Sequence, residues 1–170
     1  MLKIANHPIY RHELPEGHRF PMEKYDLLPQ QLIYEGTCTE ENFFEPEIPD
    51  DSHILRVHTE AYYHDLLNLT LDAKAIRKIG FPLSDALVQR EVMIADGTIK
   101  ASEFALKHGI AMNIAGGTHH AYSNKGEGFC MLNDQAIGAR YLQENKLATK
   151  ILIVDLDVHQ GNGTAEIFQN

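Results

Sequence analysis

Short apolar runs alternate with amphipathic segments along the chain, and turn residues separate them. The apolar runs predict strands at 2–5, 110–115 and 150–154. Apolar positions at helical spacing, with capping residues at their ends, predict helices over 21–36, 59–69 and 134–145. Two further helices are predicted, one beginning at Ser84 and the other restarting at Asp96-Gly97-Thr98 and running to Lys107. This alternation is typical of an α/β domain with a parallel sheet.

Two of the predicted strands run directly into polar residues. The strand at 110–115 leads to Gly-Gly-Thr-His-His at 116–120, and the strand at 150–154 leads to Asp-Leu-Asp-Val-His at 155–159. The helix predicted between them would make one βαβ unit. Because sites in open α/β sheets lie at the carboxyl ends of the strands, both polar clusters are predicted to face one cleft.

The second cluster carries metal-ligand chemistry. At a strand period of two, Asp155, Asp157 and His159 share one face, while Leu156 and Val158 face the core. Three such side chains at the end of a buried run are costly to desolvate, and a divalent cation such as zinc offsets that cost. The alternative is a solvated strand end followed by a glycine turn.

The first cluster suits acid–base chemistry. His119 and His120 lie in the loop after a strand, and histidine titrates near neutral pH, which suits a general base. The alternative is a pair of surface histidines. In the nearby Gly-Phe-Cys, Phe129 could wall an apolar channel, and Cys130 is predicted to be a small buried residue rather than a nucleophile. Of the other histidines, His18 is the one most expected to have more than a structural role.

The amino-acid composition limits the classes of binding partner and the cell compartment that are expected. With 15 Lys+Arg against 24 Asp+Glu, the net charge of −9 argues against nucleic-acid binding and weakly favours cationic substrates. No apolar run reaches the roughly 20 residues of a membrane span, and no signal peptide is recognised at the N-terminus. Two cysteines without a CxxC motif predict a reducing, cytoplasmic location.

The motifs GGTHHAYSNKGEGFCMLND at 116–134 and ILIVDLDVHQGNG at 151–163 resemble the zinc-dependent histone deacetylase family. The likeness extends upstream to RVHT at 56–59 and HRFP at 18–21, and it is greatest to the class IV branch and its bacterial relatives. It implies an arginase/deacetylase-like α/β fold, a three-layer parallel sheet flanked by helices. On this resemblance, residues 1–170 are the N-terminal part of a single catalytic domain that stops after the Asp-x-Asp-x-His strand.

The resemblance also implies a role for each residue that matches a motif. Asp157 and His159 correspond to two of three zinc ligands, and His120 corresponds to the general base that deprotonates the attacking water. His119 corresponds to the partner of that base. The remaining matches are Asp155, which orients His119 and helps to hold a structural potassium ion; Asn162, which hydrogen-bonds the base where some branches have Asp; Gly128, whose carbonyl accepts the substrate amide N–H; and Phe129, which lines the acyl-lysine tunnel.

The resemblance implies zinc-dependent hydrolysis of an N-acyl amide, with an acyl-lysine peptide as the first expected substrate. Acetylated polyamines, other small amides and longer fatty acyl groups are alternative substrates. In the family, the third zinc ligand and an oxyanion-stabilising Tyr come later in the sequence. A partner chain that completes the domain, or a non-catalytic metal-binding or interaction module, are therefore open alternatives. Zinc and iron both suit such a site. The related manganese ureohydrolases are disfavoured because they need more carboxylates than 155–162 offers.

Overall fold

The computed structural model describes residues 1–169 and shows a small parallel sheet against helices. Its three strands are β1 (Lys3–Ala5), β2 (Phe43–Phe44) and β3 (Ala111–Asn113), in the order β2-β1-β3. Ile4 of β1 pairs with Phe43 on one side and with Met112 on the other. The predicted α/β class is confirmed.

Helices account for most of the regular structure. Within residues 1–169 there are seven α-helices, with these bounds: α1 (Lys24–Tyr34), α2 (Asp51–Leu55), α3 (Glu60–Leu67), α4 (Ala73–Ile79), α5 (Asp85–His108), α6 (Asp134–Glu144) and α7 (Asn162–Ile167). Both predicted N-caps at Thr59 and Ser84 are confirmed, since their side chains accept backbone N–H bonds from Tyr62 and Leu87. Within the described part of the chain, no helix is both long and apolar enough to cross a membrane.

The helix α5 is the central element of the core. It packs against α6 and against strands β1 and β3, and its buried face includes Leu87, Val88 and Ile94. The prediction of two helices meeting at 96–98 is wrong, because α5 is continuous from Asp85 to His108. Gly97 allows neighbouring residues to pack closely against α5 and does not end the helix. A Cβ at Gly97 would come within 2.9 Å of Asn113 Nδ2 and 3.2 Å of Ala5 Cβ.

Replacement of Gly97 by Ala is expected to destabilise the fold despite the higher helix propensity of Ala. Overpacking of a tight interface costs about 1–3 kcal/mol, against a gain of roughly 1 kcal/mol in propensity. Asn113 cannot withdraw easily, because its amide also donates to Ile94 O at 2.9 Å. Urea unfolding measures the change, with the exposed Gln89→Ala on the same helix as control. An unchanged midpoint for Gly97→Ala would contradict this account.

The segment 150–158 differs from its prediction. The strand predicted at 150–154 is not formed, and the exposed fractions of Leu156 and Val158 are both 91% instead of the predicted burial. The predicted βαβ unit is therefore wrong within residues 1–169. The physical reason is pairing: a strand requires a hydrogen-bonded neighbour, and the described sheet contains only β1, β2 and β3.

Candidate active site

The loop that carries the two adjacent histidines is fixed to the start of α6. The Asp134 carboxylate, almost fully buried, accepts the backbone N–H groups of Gly117 and Thr118 at 3.0 and 2.8 Å. The same carboxylate accepts the Thr118 hydroxyl at 2.6 Å. Gly116 must lack a side chain here, since a Cβ would lie 2.7 Å from the Asp134 carboxylate. Sequence reasoning missed Asp134 as a site residue, although an Asp in a first helical turn was a usable signal.

His119 is buried, and its ring is hydrogen-bonded to the carboxylate of Asp155. Its Nδ1 lies 2.5 Å from Asp155 Oδ2. The hydrogen bond from His119 is the main reason that the pKa of Asp155 lies below its ordinary value. The rings of His119 and His120 are adjacent, with centroids 4.2 Å apart. The structure thus brings His119, His120 and Asp155 together as the sequence predicted.

His120 is held in one tautomer by Asn162. Its Nδ1 lies 2.7 Å from Asn162 Oδ1, and the same oxygen accepts the Gly163 N–H at 3.1 Å. An amide oxygen can only accept hydrogen bonds, so Nδ1 of His120 is the donor. In the neutral ring, Nε2 is then the unprotonated nitrogen and can accept a proton.

The side chains of Asp157 and His159, the two predicted metal ligands, lie side by side. His159 Nδ1 lies 3.0 Å from Asp157 Oδ1, and both side chains are more than half exposed. Hydrogen bonds from the backbone N–H and then the ring of His159 lower the pKa of Asp157, which favours the anionic ligand form.

A carboxylate oxygen and an imidazole nitrogen are ligand types that suit zinc. A catalytic zinc takes three protein ligands, and within residues 1–169 no group of three or more His, Cys, Asp or Glu side chains is arranged to hold a metal ion. His159 also lies near the predicted base, with ring centroids of His120 and His159 6.0 Å apart.

Phe129 is fixed by the end of α4. Its φ of +67° is unusual for a residue with a side chain, and its N–H donates to Ile79 O at 2.7 Å. Gly80 allows this contact, since a Cβ there would lie 2.8 Å from the Phe129 ring. His18 makes structural contacts here, since its Nε2 lies 2.8 Å from Gly80 O and its ring packs against Phe129; a role beyond structure stays a prediction. His18 thus supports the wall that Phe129 forms.

Cys130 is buried, as predicted. Burial raises the pKa of its thiol to about 12, so a thiolate nucleophile is disfavoured at neutral pH. The residue before Phe129, Gly128, packs on the edge of the His120 ring, where a Cβ would lie 2.8 Å from Cδ2.

One cleft joins these residues. A cavity of about 360 Å³ is lined by His119, His120, Gly128, Phe129, Asp157 and His159, and it extends to three cationic side chains, Arg19, Lys24 and Arg90. Asp155 and Asn162 stand behind the two adjacent histidines. The prediction that both polar clusters face one cleft is thus confirmed by the geometry.

Known proteins share sequence and fold with this chain. A sequence profile described as the histone deacetylase domain matches residues 18–170. The chain belongs to the histone deacetylase family. It is 48% identical over 167 residues to an uncharacterized protein of Picosynechococcus sp., covering 98% of this chain and 56% of that protein. It is 31% identical to Histone deacetylase 2 of Arabidopsis thaliana, covering 86% of this chain and 39% of that protein.

Solved histone deacetylase homologues share the fold. An HDAC homologue from Aquifex aeolicus superposes with a TM-score of 0.80 at 28% identity, covering 98% of this chain and 47% of that one. An HDAC homologue complexed with SAHA gives a TM-score of 0.82 with the same identity and coverage. The arginase/deacetylase-like fold predicted from the sequence is confirmed, and the chain spans about half the length of these relatives.

Proposed function

We propose that the protein hydrolyses N-acyl amides, with acyl-lysine as substrate and His120 as the general base. The observation that carries this proposal is the hydrogen bond from His120 Nδ1 to Asn162 Oδ1 at 2.7 Å. It holds the ring in the tautomer whose Nε2 can accept a proton from an attacking water. Family membership supports the same deacetylase-type hydrolysis.

The neighbouring residues supply orientation. Asp155 holds His119 beside His120, so that the polar end of the cleft has two imidazoles in fixed positions. The Gly128 carbonyl accepts the N–H of the substrate amide, and Phe129 packs along the acyl-lysine side chain and excludes water from it. The substrate amide is thereby held in one orientation beside His120 Nε2. This orientation lowers the entropic part of the activation barrier.

Asp157 and His159 would hold the catalytic zinc. When bound, zinc polarises the amide carbonyl and lowers the pKa of water to about 7. The third ligand and the oxyanion donor are proposed to come from sequence that the longer relatives contain or from a partner chain. Iron in place of zinc, and a structural potassium ion near Asp155, stay predictions.

A second function has one supporting observation. Within residues 1–169 no group of three or more His, Cys, Asp or Glu side chains is arranged to hold a metal ion, which is compatible with a weak metal-binding or interaction module. In that case metal binds without amide hydrolysis. The domain extent of 1–170 also stays a prediction.

The test is an assay of acetyl-lysine peptide hydrolysis, in which the released free amine is measured. It is run on the 170-residue chain and on the polypeptide purified from its own cells, whose intact mass is compared with 19.2 kDa. Hydrolysis that is lost with a chelator and restored by zinc is the expected result. Stoichiometric zinc binding without hydrolysis in either form would support the second function. The absence of both zinc binding and hydrolysis would overturn both proposed functions.

Charge and cysteine chemistry bear on the substrate and the compartment. The net charge of −9 weakly favours a cationic substrate such as a lysine-containing peptide, although the cleft lining itself includes Arg19, Lys24 and Arg90. Acetylated polyamines and longer acyl chains are competitors in the same assay. Both cysteines, Cys38 and Cys130, are free and buried. This supports the proposal of a reducing, cytoplasmic location.

A further inference from the structure

The loop that follows the two adjacent histidines is tied to the far end of α7. The Glu166 carboxylate accepts two hydrogen bonds from Ser123, one from its backbone N–H at 3.1 Å and one from its hydroxyl at 3.0 Å. Bonds that a charged group accepts are about twice as strong as neutral ones, so this double contact is a firm link between two segments 43 residues apart.

The near end of α7 touches the same loop. The Thr164 N–H donates to His119 O at 3.1 Å, and a Cβ on Gly163 would lie 2.6 Å from the carbonyl carbon of Ala121. Asn133 joins the two segments as well, since its Nδ2 lies 3.0 Å from both Ala121 O and Thr164 Oγ1. The first turn of α7 is therefore packed directly on the backbone that carries His119 and His120.

Ser123 is itself fixed on its other side. Its carbonyl accepts the N–H of Thr59, the N-cap of α3, at 2.8 Å. The Glu166–Ser123 hydrogen bonds thus connect α7 to a residue that is itself hydrogen-bonded to the N-cap of α3. A helix of six residues such as α7 is not stable by its own hydrogen bonds and depends on contacts of this kind.

We propose that Glu166 is a positioning residue for His120, which it orients through α7 and Asn162. Asn162 begins α7, Glu166 lies one turn later, and Asn162 accepts the hydrogen bond from His120 Nδ1. The link from Glu166 to Ser123 adds to the contacts of Gly163 and Thr164, and it holds the second turn of α7 against the loop that carries His120. Without that link, the bond between Asn162 and His120 lengthens and the imidazole samples other tautomers and rotamers. The proposal rests on the proposed function of His120.

The experiment compares Glu166→Ala with Ser123→Ala, which removes the hydroxyl but keeps the backbone N–H bond. Glu166→Gln is the conservative variant, because its amide oxygen can still accept from Ser123. The matched control is Glu103→Ala, since Glu103 is also a half-buried glutamate that accepts a hydroxyl, from Tyr141 at 2.6 Å. All variants are checked for folding by circular dichroism.

Two readouts are measured. The first is the 15N spectrum of the histidine rings in the 170-residue chain, which reports the tautomer of His120 and needs no turnover. The second is kcat and KM for the acetyl-lysine peptide in the form of the protein that hydrolyses it. By analogy with residues that orient metal ligands, whose loss costs about 10–100-fold, kcat of Glu166→Ala is expected to fall by that factor with KM nearly unchanged.

The expected pattern is a mixed tautomer for His120 in Glu166→Ala, a smaller change in Ser123→Ala, and recovery in Glu166→Gln. Glu103→Ala should leave both readouts unchanged. If Glu166→Ala does not fold, Ser123→Ala alone decides the proposal by the same two readouts. A folded Glu166→Ala with an unchanged ring spectrum and unchanged kcat would overturn it. Absence of hydrolysis in the unmodified protein would instead refute the proposed function, with the ring spectrum still testing the positioning.

Discussion

Replacement of His120 by Ala is expected to lower kcat by about 10²–10⁴-fold, the usual contribution of a positioned general base. The reason is local: Nδ1 of His120 is engaged by Asn162 at 2.7 Å, which leaves Nε2 as the proton acceptor in the cleft. Zinc affinity is expected to stay within a few-fold of its original value, because His120 is not one of the proposed ligands. Steady-state kinetics and zinc titration measure the two effects separately.

The control for this variant is His108→Ala. His108 is exposed, lies in the last turn of α5 and is not part of the cleft lining, so its loss should not change kcat. A His120→Ala protein that keeps near-normal turnover in the form that hydrolyses the peptide would show that another group takes the proton. Loss of zinc together with turnover would instead place His120 among the metal ligands.

The sequence predicts the kinds of elements well where the signal is local. Caps at Thr59 and Ser84 and the periodic apolar faces are properties of a few neighbouring residues, and the structure confirms them. The cluster at 155–159 is likewise identifiable because its polar residues follow an apolar run directly. The pairing of His120 with Asn162 follows from the family resemblance, and the geometry agrees with it.

Long-range features are what the sequence does not predict. The sequence predicts a helix boundary at Gly97, because the actual role of Gly97 depends on how closely α5 approaches Asn113 and Ala5 in the folded chain. The burial expected for Leu156 and Val158 required a neighbouring strand that the described sheet does not provide. Asp134 and Glu166 were not identified either, since each acts through partners 16 to 43 residues away.

Replacement of Asp157 by Ala is expected to weaken zinc binding by more than about 100-fold. Changes in the residues around metal ligands already cost about 10–100-fold, and loss of a ligand exceeds that range. The carboxylate of Asp157 supplies an anionic oxygen 3.0 Å from His159 Nδ1, and it also accepts the His159 N–H at 2.7 Å. The variant therefore loses one ligand atom and the backbone hydrogen bond that orients the other ligand residue.

Isothermal titration with zinc, in competition with a chelator of known affinity, measures this change in both forms of the protein. The control is Asp85→Ala, an exposed carboxylate in the first turn of α5 that lies outside the cleft lining and should leave zinc affinity unchanged. A full complement of zinc in Asp157→Ala would contradict its assignment as a ligand. Because His120→Ala is expected to keep zinc and lose turnover, whereas Asp157→Ala loses both, the two variants together separate proton transfer from metal binding.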